Sequence, residues 1–219
     1  FTTEENSARW GVPDHITFTR VEKEIARQTA RPFMKTFLTL SSHEPFDVPM
    51  SRLEHPYLNS VAYTDSCLGA FVDTLRQSPL WENLLIVFVA DHTMRYPAGI
   101  QEHEVKRHHI PMVWCGGAVR GHRVVEDYAS QIDLAATLLA QMHIDYSDFA
   151  FSKNIADTTQ RHFAYYTYKD GLGYVDAENR AVYDCDSESW LLKEGAQADT
   201  CAKSAQAFLQ KLYDDLGSR

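Results

Sequence analysis

Leu84-Leu-Ile-Val-Phe-Val-Ala-Asp-His92 is an apolar run that stops in a carboxylate and an imidazole. A run with no polar alternation is the pattern of a central parallel strand, because both of its faces are covered. Upstream, Pro56 to Gln77 carries Leu58, Val61, Ala62, Leu68, Phe71, Val72 and Leu75 at helical spacing, and Ser78-Pro79 ends that helix. Before it, Phe33 to Leu40 is short and rich in β-formers, which predicts a strand emptying into the polar loop Ser41-Ser-His-Glu-Pro-Phe46. The unit is strand, helix, strand, with the crossover length that a parallel pair requires. Ligands of open parallel sheets bind beyond the carboxyl ends of the strands, so His43 and the Asp91-His92 pair are candidates for one crevice if the two strands are neighbours.

Working outward, the opening segment through Phe18 reads as irregular. Thr19-Arg-Val-Glu22 offers a capping box for a helix running to about Ala30, with Val21, Ile25 and Ala26 on its apolar stripe and Pro32 as its stop. A polar, His-rich loop spans Thr93 to His109. Ile110 to Cys115 is a second short strand, its Pro111 placing that residue at the start or toward an edge, and Gly116-Gly117 ends it. Ser130-Gln-Ile-Asp133 is another capping box, opening a helix through Met142 with Ile132, Ala135, Ala136 and Leu139 inward.

After Phe163 the texture changes. Ala164 to Tyr168, Gly173 to Val175 and Ala181 to Asp184 are β-prone runs separated by turn chemistry, an antiparallel meander, and Ser204 to Leu216 is an amphipathic helix. The fold class is therefore α/β with a small antiparallel tail and terminal helix. The division falls near residue 160, into 1–160 and 161–219.

With 219 residues, 44% apolar and 23% charged, the chain has the composition of an ordinary globular protein, which excludes disorder, collagen-like repeats and a coiled coil. Thirty acidic against 21 basic side chains leave a net charge of −9, and no window supplies the basic face that nucleic-acid binding needs. An acidic protein that takes an anionic substrate must build a local positive site, for which a metal ion is a compact device. The apolar run Leu84 to Ala90 is far short of the ~20 residues of a membrane span. Because the chain begins at Phe1 rather than Met, it reads as a piece of a longer polypeptide. Cys67 and Cys115 lie in apolar stretches as small buried hydrophobes, whereas Cys185 and Cys201 either pair in an oxidising compartment or remain thiols.

Asp91 and His92 present one oxygen and one nitrogen, a donor pair suited to Zn²⁺ or Mn²⁺. An Asp-His dipeptide also serves simply as a turn cap, and His43 taken alone is a loop histidine with one hydrogen bond. His103, His108 and His109 fit no helical or strand face and read as solvated loop residues. Arg95 and Arg107 have the forked donors that clamp a phosphate or sulfate, although lone arginines in a polar loop are ordinary surface charges.

The ordered set of segments carries more information than any one of them. Phe37-Leu-Thr-Leu-Ser-Ser-His-Glu-Pro-Phe46, Tyr63-Thr-Asp65, Ile86 to His92, His109-Ile-Pro-Met-Val113 and Gln131-Ile-Asp-Leu-Ala-Ala-Thr-Leu138 follow one another, with Trp10-Gly-Val-Pro-Asp14 ahead of them. This set closely resembles the C-terminal half of the extracellular domain of lipoteichoic acid synthases and related phosphoglycerol transferases, in the sulfatase/alkaline phosphatase superfamily. The resemblance runs over residues 10 to 155. It implies a partial alkaline-phosphatase-like α/β sandwich with a mostly parallel sheet and one divalent cation (Mn, Zn or Mg). In that family a Glu, a nucleophilic Thr and an adjacent Asp and His hold the ion. Asp91 and His92 match the last two, and His43 matches a histidine lining the pocket near the phosphate, with Arg95 as a further candidate contact.

The Glu and the Thr precede the region covered here, and no threonine of this chain matches the nucleophile. The resemblance therefore implies half a metal site, no catalytic nucleophile, and an N-terminal half of the same domain as partner. For the complete protein it implies a metal-dependent transferase of phosphoglycerol-type groups, anchored at the extracytoplasmic face of the cell membrane. The substrate would be an anionic phospholipid or a sulfate or phosphate ester. The alternatives are a sulfatase or phosphodiesterase of the same superfamily, or a non-catalytic envelope domain that keeps the fold. The isolated chain is expected to be inactive.

Overall fold

The computed structural model describes residues 10–219. These residues form two compact units, one running to Ile86 and joined by Trp114–Arg120, the other of Val87–Val113 with Gly121–Arg219.

The first unit is built on helices α1 (Asp14–Arg27) and α2 (Pro56–Arg76). Helix α1 begins well before the expected Thr19, so residues 14–18 are helical rather than irregular; the part of the opening segment before Trp10 lies outside the described residues. The cause is tertiary. The Asp14 carboxylate accepts the Leu40 amide (2.7 Å), the Ser41 amide (3.1 Å) and the Thr64 hydroxyl (2.6 Å), which fixes the first turn where Pro13 already supplies a helix-compatible φ. Thr19 is consequently interior, and its hydroxyl donates back to the His15 carbonyl rather than capping.

Helix α2 starts with Pro56 in its first turn and His55 accepting the Tyr57 amide, and it ends within one residue of the sequence expectation. Phe71 and Leu75 point inward as the periodicity requires, whereas Val61 is 40% exposed. At that end of the helix the buried positions are polar. Asn59 accepts the Arg52 and Leu53 amides and donates to the Leu53 carbonyl, so its desolvation is compensated. Phe18, Val21 and Ile25 of α1 meet Phe71 and Leu75 of α2 in one core, with Phe33 and Phe37 packed against it. The Phe18 ring lies 5.4 Å from Phe37 and 5.0 Å from Phe71.

Phe33 to Leu40, expected as a strand, carries none. Two of its aromatic side chains are spent on the helical core, and the amides at its end are held by the Asp14 side chain, where a strand would need ladder partners.

Strand β1 is Ile86–Val89 and pairs with β2, Met112–Cys115. Both are shorter than their apolar runs, and Val89 and Val113 are 38% and 52% exposed, so β1 is not covered on both faces. Past β2, Gly116 has φ +118 and its bare Cα lies against the Leu84 backbone, where no side chain fits.

The second unit holds α3 (Asp133–Gln141), a four-stranded antiparallel sheet and α4 (Ala198–Ser218). The sheet order is β3 (Ala164–Tyr168), β4 (Gly171–Val175), β5 (Arg180–Asp184) and β6 (Ser189–Glu194). In the first hairpin Tyr166 faces Gly173, and in the second Gly173 faces Val182. Helix α4 packs on this sheet, burying Leu172, Tyr174, Ala181, Cys201, Ala202 and Ala205 together.

Strand β6 was not expected; it is held by Trp190, whose ring lies 4.9 Å from that of Tyr183. Helix α4 begins before the expected Ser204 because small side chains, Cys201, Ala202 and Ala205, sit against the sheet there. Ile132, expected inward, is 44% exposed and precedes α3. All four cysteines are free thiols, with Cys201 buried and Cys185 exposed. No helix of the described residues is long and apolar enough to cross a membrane.

Candidate functional site

In the second unit the chain leaves β1 through Ala90, Asp91 and His92. The two side chains lie together and are exposed, with Asp91 Oδ2 3.6 Å from His92 Nε2. Each is fixed by a local bond. Asp91 Oδ1 accepts the His92 amide at 2.9 Å, which turns the other oxygen toward the ring. His92 Nδ1 lies 2.9 Å from the Thr93 carbonyl; a carbonyl only accepts, so the proton sits on Nδ1 and the Nε2 lone pair is left for a ligand.

The pair fits a small divalent cation on its own geometry. Two donors each about 2.0–2.2 Å from a tetrahedral ion stand roughly 3.3–3.6 Å apart, and the observed separation is 3.6 Å. Among the described residues no third His, Cys, Asp or Glu joins them to make a three-donor group.

The carbonyl side of this turn is held from a distance in sequence. Gln131 Nε2 donates to the Ala90 carbonyl at 2.5 Å and to the Asp91 carbonyl at 2.8 Å. Thr93 donates its hydroxyl to the Arg107 carbonyl, closing the loop that follows.

Arg95, the candidate anion contact, is engaged by Glu102 in an exposed ion pair. Among the described residues Arg107 makes no such pair, and its buried Nη1 meets no hydrogen-bond partner. His108 is not a solvated loop residue. Its ring stacks on Tyr166 with centroids 3.9 Å apart, and its Nε2 lies 2.7 Å from the Glu102 carbonyl. Burial, reinforced by the neighbouring Arg107 charge, pushes the His108 pKa down to about 4.

His43 belongs to the first unit. It is exposed, its Nδ1 is 2.9 Å from the Glu44 carbonyl, and its Nε2 therefore carries the free lone pair. Trp10 braces the turn. Its Nε1 donates to the Glu44 carbonyl at 2.5 Å, and its ring meets the His43 ring edge-on at 5.3 Å. Phe46 holds φ +63, a left-handed conformation that is uncommon for a bulky residue, and its backbone N–H donates to the His43 carbonyl at 2.9 Å, closing the His43 turn. Asp14, holding Leu40 and Ser41, fixes the backbone that leads into this turn.

Sequence reasoning missed two supporting residues, Asp14 and Gln131, and read Asp133 only as the acidic member of a capping box, the bond it does make to the Ser130 amide. Asp133 is fully buried, accepts the Ser130 and Lys153 amides, and pairs with Lys153 Nζ at 2.8 Å. All three lie within segments singled out by their resemblance, but apart from the local Ser130–Asp133 bond their partners are remote in sequence.

Comparison with known proteins agrees with this architecture. The chain is 25% identical over 178 residues to lipoteichoic acid synthase 2 of Bacillus subtilis, covering 68% of this chain and 26% of that protein. It is 31% identical over 101 residues to the lipoteichoic acid synthase-like protein YvgJ of Bacillus subtilis, covering 41% of this chain and 16% of that one. With phosphoglycerol transferase I of Xanthomonas campestris the identity is 25% over 160 residues, covering 67% and 22%. The chain thus spans about a quarter or less of the length of these curated relatives. A solved protein in the alkaline phosphatase superfamily from Vibrio parahaemolyticus superposes with TM-score 0.72 at 23% identity over 94% of this chain and 57% of that one, which establishes the fold. The Sulfatase family model matches residues 2–144, and the chain belongs to that family.

Proposed function

We propose that this chain is part of the catalytic domain of a sulfatase-family phosphotransferase and supplies Asp91 and His92 as two of the ligands of one divalent cation (Mn, Zn or Mg). The observation that carries this reading is the exposed carboxylate and imidazole 3.6 Å apart, with the imidazole proton committed to Thr93. Bound there, the ion would neutralise phosphoryl charge and lower the pKa of a coordinated hydroxyl.

The chain's own residues have narrower tasks. Asp91 and His92 hold and orient. His43 Nε2, free because Nδ1 is bonded to Glu44, accepts or returns a proton at a substrate oxygen. Arg95 reaches an anionic group only by leaving Glu102, so its contribution to binding is small. The nucleophile is a threonine on the N-terminal half of the same domain. Its oxygen bonds to phosphorus as the lipid alcohol departs with a proton, and an acceptor alcohol then displaces the threonine.

The substrate is an anionic phospholipid of phosphoglycerol type, in keeping with the names of the transferase relatives, and the complete protein would present the site at the extracytoplasmic face of the cell membrane, as the resemblance implies. A second reading, hydrolysis of a sulfate or phosphate ester, is favoured by the Sulfatase family match. In it water takes the place of the acceptor alcohol. Residues 1–160 would belong to the catalytic portion and 161–219 to a small antiparallel subdomain with the terminal helix, packed in one compact unit with residues 87–113 and 121–160.

The test is His92→Ala and Asp91→Asn in the complete enzyme, assayed with a phosphatidylglycerol and with a chromogenic phosphodiester. Loss of both activities with an unchanged melting curve is expected. Wild-type rates in either variant remove that residue from the site. Transfer to glycerol without hydrolysis selects the transferase reading, and the reverse selects the hydrolase. The purified 219-residue chain should show no turnover.

A further inference from the structure

The turn that carries Asp91 and His92 is short, exposed and bordered by a strand paired on one side with β2. Its backbone nevertheless has one conformation to keep, because the His92 ring position depends on the Thr93 carbonyl and the Asp91 carboxylate on the His92 amide. Gln131 Nε2 reaches the two carbonyls that precede these groups, Ala90 at 2.5 Å and Asp91 at 2.8 Å. Both partners are acceptors, so the amide nitrogen must face them, and a side chain without donors there would leave both carbonyls to water.

Gln131 itself stands on a rigid base. The preceding Ser130 exchanges two bonds with Tyr165 of β3, its hydroxyl donating to the carbonyl (3.0 Å) and accepting the amide (2.7 Å). The Ser130 amide is held by Asp133, which is fully buried and paired with Lys153. A path of hydrogen bonds and one peptide link therefore runs from the first strand of the antiparallel sheet, through Ser130 and Gln131, to the carbonyls of Ala90 and Asp91 that lead into the two candidate ligands. Because Gln131 is exposed, its bonds add little to folding; what they restrict is one turn.

We propose that Gln131 is a positioning residue for the Asp91-His92 pair, and that through Ser130 the C-terminal sheet sets the geometry of that pair. The proposal rests on the metal-ligand reading above. Groups that orient the ligands of a metal commonly change affinity 10–100-fold when removed.

The test uses the whole 219-residue chain and two readouts. The first is the ¹H–¹⁵N long-range spectrum of the His92 ring, recorded at one fixed, mildly alkaline pH for every variant. The second is Mn²⁺-induced broadening of the same ring. Wild type should show the Nδ1-protonated tautomer alone. Gln131→Met should give a mixture of tautomers and about tenfold or more weaker Mn²⁺ binding, with little change in melting temperature. Gln131→Lys, which keeps a donor of similar reach, should restore the single tautomer. Ile132→Ala, at an exposed neighbour, should change neither readout.

An unaltered His92 spectrum and Mn²⁺ affinity in Gln131→Met overturn the proposal, whatever happens to stability. If that variant does not fold, Gln131→Asn, too short to reach both carbonyls, takes its place with the same expectation. A wild-type chain without Mn²⁺ broadening at His92 refutes the metal reading, while the tautomer comparison still decides the role of Gln131.

Discussion

Asp14 is a residue whose removal the structure makes costly. Its carboxylate is fully buried and accepts three bonds, from the Leu40 amide at 2.7 Å, the Ser41 amide at 3.1 Å and the Thr64 hydroxyl at 2.6 Å. In Asp14→Ala the hydroxyl can rotate to another acceptor, but the two amides cannot move without breaking the turn. An orphaned amide costs about 1–3 kcal/mol where water is excluded, and Leu40 and Ser41 are only half-buried, so the variant should lose about 2–3 kcal/mol, the lower end for two such groups.

Asp14→Asn keeps one oxygen for the amides and should recover much of that loss. The assay is urea unfolding followed by tryptophan fluorescence, with hydrogen exchange at Leu40 and Ser41 to localise the effect. The same two amides begin the turn of His43, so their exchange should rise in the Ala variant before global unfolding does. An Ala variant within about 1 kcal/mol of wild type, with both amides still protected, would refute the reasoning.

Two further outcomes follow from buried charge. Lys153→Met removes the ammonium that lies 3.8 Å from the centre of the Phe163 ring and leaves the buried Asp133 without its cation, and should cost about 3–5 kcal/mol; a melting curve equal to wild type would contradict the pairing. His108 has a folded-state pKa near 4, depressed by burial and by Arg107, against about 6.5 unfolded. Between those values the unfolded chain binds the extra proton. Stability from this group is therefore complete above about pH 6.5 and declines as the pH falls toward 4. His108→Gln should flatten that part of the stability profile, and an unchanged slope would show that His108 is not the group responsible.

What the sequence made legible follows from the range of the interactions involved. Helix α2 and strand β3 were read almost to the residue because their apolar spacing and bounding turn residues are local signals. Helix α1 was read late because its first turn is set by Leu40, Ser41 and Thr64, none of them near Asp14 in the chain. Phe33 to Leu40 has strand propensity, yet Phe33 and Phe37 gain more by packing on Phe18 and Phe71 than a strand without a ladder partner offers. Strand β6 was hidden because Leu191 between Trp190 and Leu192 breaks the alternation, and only the pairing with β5 defines it.

The same distinction divides the site. Asp91 and His92 are adjacent in the chain and stand at the end of a strand, so their proximity was legible. The bonds of Gln131 to Ala90 and Asp91, the pairing of Arg95 with Glu102 and the stacking of His108 on Tyr166 are tertiary contacts of long side chains. Residue type and spacing carry no trace of them.

The central claim is that Asp91 and His92 share a cation, and anomalous scattering from crystals of the chain soaked in Mn²⁺ tests it most directly. The account predicts one peak about 2.0–2.3 Å from both Asp91 Oδ2 and His92 Nε2, absent from Asp91→Asn/His92→Ala crystals. A peak that persists in the double variant, or a soaked wild-type crystal with Mn²⁺ bound elsewhere and none between these two atoms, would contradict it.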